Sequence, residues 1–87
     1  MENIEKLYQL KLERDILRSR NVNINIDRSW YLNQKVDFAV KTLDGYLTRN
    51  NKKIEKLNKK IARVRRKIDK LKNKGQHVAN PNNKEKN

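Results

Sequence analysis

Between residues 52 and 74 the chain carries twelve cationic side chains: Lys52, Lys53, Lys56, Lys59, Lys60, Arg63, Arg65, Arg66, Lys67, Lys70, Lys72 and Lys74. Only Glu55 and Asp69 oppose them. The chemistry open to such a set is electrostatic. Cations at helical spacing neutralise phosphates and release the counterions condensed on a polyanion. Nucleic acid, DNA or RNA, is therefore the first partner expected. Lysine predominates, and only Asn58 and Asn73 in this stretch offer amides to base edges. That composition points to backbone contacts with little sequence preference. The alternative is an acidic protein surface, which an inhibitor of host machinery, a scaffold or a virion component would engage with the same charges. An anionic membrane ranks last, because the segment lacks a wide apolar face with aromatics.

Nothing in the chain is arranged for catalysis. His77 is the only histidine and cysteine is absent, which removes histidine triads, thiol nucleophiles and multi-histidine or thiolate metal sites. Two glycines do not make a phosphate-binding loop. The acidic pairs Glu2/Glu5 and Glu13/Asp15 read as solvated helix charges. No catalytic residue, metal, cofactor or small-molecule substrate is expected, and the chain is not expected to be an enzyme.

The cations must be carried by something rigid, and the apolar pattern supplies it. From about residue 28 to 74 a heptad runs in one phase. One core position is filled by Val40, Leu47, Ile54, Ile61 and Ile68, the other by Val36, Leu43, Asn50, Leu57, Val64 and Leu71. This spacing predicts a long helix with a coiled-coil seam. Gly75 stands where a C-cap would fall. Gly45 in "LDGY" and the pair Asn50–Asn51 are the weak points, but a turn has no reason to preserve the heptad phase, so the helix is expected to continue through both.

Upstream, residues 3–20 read as a second helix. Ile4, Tyr8, Leu12 and Ile16 form a ridge at four-residue spacing; Leu7, Leu10 and Leu17 lie on another side. Glu2 and Glu5 near its start suit the helix dipole. Between the helices, "NVNINID" (residues 21–27) alternates at period two and reads as an extended linker, with Asp27 capping the long helix and Ile26 and Tyr31 stapling its start. Asn50 at a core position either fixes register or marks a frayed junction.

The seam predicts a homodimer, with a penalty. In parallel pairing Lys60 would face Arg65 and Lys67 would face Lys72; antiparallel pairing also sets base against base. Each exposed like-charge contact costs a few tenths of a kcal/mol, whereas a buried Leu or Ile contributes about 1.5–3 kcal/mol. A second face bearing Tyr31, Phe38 and Gly45 needs cover, which the N-terminal helix would provide together with Trp30 and Leu32. The expected architecture is all-α: residues 1–50 a helical hairpin head, 51–75 a basic coiled-coil stalk, 76–87 a disordered basic tail.

Composition agrees with so extended a molecule. Of 87 residues, 34% are hydrophobic and 38% charged, too little apolar surface for a deep core. The net charge is +13, of which residues 1–51 hold only +2. No apolar run approaches the ~20 residues of a membrane span, and "MENIEKLYQL" places acids where a signal peptide needs bases. A cytoplasmic location is expected. Heavy use of Lys, Asn and Ile, all with AT-rich codons, suggests an accessory factor of a phage, plasmid or other mobile element.

Overall fold

Two helices form an antiparallel hairpin. A computed structural model describes the backbone of residues 2–79 and the side chains of residues 2–72. Helix α1 spans Glu2–Asn33 and α2 spans Asp37–Ala79, with no strand among the described residues. The two pack side by side in a rod of 67 × 24 × 15 Å. The all-α fold, with an N-terminal helix folded back on a long heptad helix, is the one the periodicity predicts.

The α2 seam keeps its phase. Val40, Leu57, Ile61 and Val64 are buried; Val36, Leu43, Leu47, Asn50, Ile54 and Ile68 are half-buried, and Leu71 at the open end is exposed. What lies against this seam is α1. Leu10 and Leu17 join Leu57, Ile61 and Val64 in one apolar cluster, flanked by Leu7, Ile54 and Ile68. At about 1.5–3 kcal/mol for each fully buried side chain, this cluster is the main source of stability. The positions assigned to pairing between chains thus face α1 of the same chain, and α1 runs alongside both the expected head and the expected stalk.

Helix α1 departs from expectation at residues 21–27. The stretch is helical, not a linker. The reason lies in a seam that tolerates polar residues. Leu7, Leu10, Arg14, Leu17, Asn21, Ile24, Arg28 and Tyr31 alternate steps of three and four, and all are buried or half-buried. The polar members have partners. Asn50 Nδ2 donates to Asn21 Oδ1 at 2.9 Å, and Asn21 Nδ2 donates to Asn51 Oδ1 at 3.0 Å. Arg28 Nε donates to Asp44 Oδ1 at 2.6 Å. Asn50 is thus paired across the hairpin, between the arms of one chain. Asp27 caps nothing; it lies inside α1.

The chain reverses at residues 34–36, which sequence reading placed inside the long helix. The Lys35 amide donates to the Leu32 carbonyl at 3.1 Å and the Val36 amide to the Tyr31 carbonyl at 3.0 Å. This is a Schellman termination, and Lys35, with φ of 59°, holds the left-handed position that glycine usually takes. The Val36 carbonyl then accepts from the Val40 amide at 3.2 Å and opens α2.

Past the turn, α2 runs unbroken through Gly45 and Asn50–Asn51, as the heptad phase implies. The face expected to be covered by α1 is open: Phe38 is 76% exposed, and nothing lies within 4 Å of a Cβ at Gly45. At the far end the helix passes through Gly75 to Ala79, so the expected cap and the start of the expected tail are helical. Residues 80–87 of that tail lie outside the described residues.

Candidate nucleic-acid interface

The hairpin gives the basic segment a direction that a bare helix lacks. With one side of α2 sealed by α1, Lys53, Lys56, Lys60, Arg63, Lys67 and Lys70 alternate steps of three and four beside the contact. They form one stripe, about 26 Å long at 1.5 Å per residue. Lys52, Lys59 and Arg66 run next to it at seven-residue intervals, and all nine positions of this joint face are cationic and exposed. The acids of the segment, Glu55 and Asp69, fall with Ala62 on the row beyond. Arg65 and Lys72 lie on the opposite flank, also exposed. The structure thus brings nine of the expected binding residues onto one face and sets two apart; the Lys74 side chain is outside the described residues.

Among the described residues these cations make no ion pair. The ion pairs among the described residues are Arg14–Asp15 at 3.1 Å, Arg18–Asp15 at 3.9 Å and Arg28–Asp44 at 2.6 Å, none of them from residues 52–72. Neighbouring like charges on a helix cost a few tenths of a kcal/mol per pair. Leu57, Ile61 and Val64, packed directly beneath, offset that cost. The face is held rigid by the driest part of the protein and left electrostatically unsatisfied outside.

Sequence reading missed the contribution of α1. An open groove of about 430 Å³ runs between the helices, lined by Glu13, Ile16, Leu17 and Arg20 on one side and Lys53, Lys56, Leu57 and Lys60 on the other. Its floor is apolar and four of its rim groups are cations. The signal was present in the polar seam positions Arg14, Asn21 and Arg28, seven residues apart. Admitting them to the heptad places Arg20 and Glu13 at the flank facing α2.

Among the described residues, no group of three or more His, Cys, Asp or Glu side chains is placed to hold a metal ion. None of the described helices is long and apolar enough to cross a membrane. Comparison with protein-family models, curated proteins and solved structures finds no match.

Proposed function

We propose that this protein binds nucleic acid through the phosphate backbone, with little sequence preference, and acts by binding and not by catalysis. The observation that carries this reading is the nine-cation face of α2, free of acids and of internal ion pairs. A stripe of about 26 Å matches roughly eight phosphates of one strand at 3.4 Å each. The face offers no amide or carboxylate to read base edges. A cytoplasmic site of action is part of this proposal. The small size and AT-rich residue usage suit an accessory factor of a phage, plasmid or other mobile element.

The test is binding to random-sequence duplex DNA and to single-stranded RNA across a salt series. With about six phosphates neutralised, log affinity should fall against log salt with a slope near −5 on duplex. Converting Lys56, Lys60 and Arg63 to Glu should reduce that slope by about 3. Binding that ignores salt, or none at low salt, refutes the reading.

A second reading draws on the groove. Its apolar floor of Ile16, Leu17 and Leu57 under a cationic rim fits an acidic amphipathic segment of another protein. Ile16→Ala separates the two: it weakens capture of such a segment and leaves nucleic-acid affinity unchanged.

A further inference from the structure

Helix α1 is apolar on both sides. Its inner side meets α2. Its outer side carries Ile4, Tyr8, Leu12, Val22, Ile26 and Trp30, exposed between 44% and 66%, and Ile16 near its middle is 44% exposed. At 100° per residue these side chains fall within an arc of about 120° opposite the α2 contact. Isolated exposed apolar residues are ordinary; two runs of them on one side of a helix, Ile4 to Leu12 and Val22 to Trp30, with only Asp15 and Ser19 exposed between them at the centre of that side, are not.

The stripe is self-complementary. Ile4 and Trp30, Tyr8 and Ile26, and Leu12 and Val22 are placed symmetrically about residue 17, the middle of α1. A two-fold axis there lays two copies of α1 antiparallel, with each member of a pair opposite its counterpart on the other chain. Such an interface is isologous: the same patch serves both sides.

Charge selects the same arrangement. Antiparallel pairing brings Asp15 of one chain beside Arg18 of the other, whereas parallel pairing sets Asp15 against Asp15 and Arg18 against Arg18. Leu10 and Ile61 share the apolar cluster, so the centre of the basic segment lies alongside residue 10 of α1. Antiparallel pairing then separates the two basic centres by roughly 20 Å along the rod, about twice the Debye length at physiological salt. Parallel pairing puts them side by side. The area is substantial: six half-exposed apolar side chains at roughly 100 Å² each give about 600 Å², three quarters of the ~800 Å² per partner of a standard interface.

We propose that a second copy of this chain covers the outer face of α1, antiparallel, forming a four-helix bundle with the two basic faces outward at opposite ends. This inference is independent of the nucleic-acid reading.

Sedimentation velocity of the full chain from about 5 to 200 μM in 0.3 M salt tests it. A dimer is expected. Leu12→Glu with Val22→Glu strikes both symmetry-related contacts and should weaken association at least tenfold, with helicity by circular dichroism unchanged. A single-chain mass at every concentration, or a dimer unmoved by the double change, overturns the proposal. Because the chain lacks cysteine, orientation can be read separately. Asp15→Cys chains mixed with Ser19→Cys chains should form the mixed disulfide in preference to either homodisulfide. Predominant homodisulfides would overturn antiparallel pairing.

Discussion

Two backbone positions in this hairpin hold residue types poorly suited to them. Gly45 lies inside α2, and Lys35 lies in the left-handed turn. Each can be replaced by what the geometry favours, and the gains follow from structure. Glycine in a helix interior costs about 1 kcal/mol relative to alanine. A Cβ at position 45 meets nothing within 4 Å, so no packing change subtracts from that figure. At position 35, with φ of 59°, an L-residue carries a penalty of roughly 1 kcal/mol that glycine avoids. Part of this gain is lost because glycine loosens the unfolded chain. Gly45→Ala with Lys35→Gly should therefore stabilise by about 1.5–2 kcal/mol in sum, since the sites are separate and share no side-chain partner. At 4–8 °C per kcal/mol for a chain of this size, the melting temperature should rise by roughly 6–16 °C. Thermal melts by circular dichroism, with urea titrations to check that m is unchanged, measure it. A neutral or destabilising Gly45→Ala would refute the reasoning, because it would mean that something packs on the open face of α2. A Lys35→Gly without gain would mean that the turn is not held left-handed.

Other outcomes follow from burial and bonding. Ile61, 3% exposed, should cost about 2–4 kcal/mol when cut to alanine, while Leu71, 62% exposed, should cost under about 0.5 kcal/mol; urea unfolding distinguishes them. Asn21→Ala and Asn50→Ala should be non-additive by about 0.5–1.5 kcal/mol in a double-mutant cycle, the value of the hydrogen bond between them. Additive effects would show that the amide layer contributes nothing to register. Arg28→Gln should cost under about 1 kcal/mol, and less still in high salt, because its pair with Asp44 is partly exposed.

The heptad of α2 was legible because its apolar positions are nearly unbroken, and a pattern in phase across Gly45 overrides the local glycine signal. The seam of α1 was legible only in its apolar half: Leu7, Leu10 and Leu17 stood out as a separate side and do pack against α2, but the continuation through Asn21, Ile24 and Arg28 did not stand out. Four-residue apolar spacing drew attention to Ile4, Tyr8, Leu12 and Ile16; the first three are exposed on the side away from α2, and Ile16 borders the groove. The true seam alternates Leu10, Leu17 and Ile24 with Arg14, Asn21 and Arg28; Asn21 and Arg28 make sense only once Asn50 and Asp44 are seen across the interface, and Arg14 is paired with Asp15 on its own helix. The turn hid for a related reason. Its left-handed residue is a lysine, with no Gly or Pro nearby, so the usual punctuation is missing. The cations could be named from sequence, but their division into one continuous face and a separate flank depends on which side α1 seals.

The driest part of the hairpin lies far from its turn, and this constrains the order of folding. Arg28 and Asp44 are 16 residues apart, Asn21 and Asn50 are 29 apart, and Leu10 and Ile61 about fifty. Closing the longest of these loops directly costs about 1 kcal/mol more in chain entropy than closing the shortest. Each polar layer that forms first shortens the loop that remains, so the weak contacts near the turn act early and the strong apolar ones late. Replacing Asp44 with Ala should thus slow folding, whereas Ile61→Val should mainly hasten unfolding, a contrast that stopped-flow chevrons resolve. The same ordering makes the end that bears the cations the last to zip. A polyanion laid along that end would bind the completed hairpin better than the partly closed one, and so slow its opening.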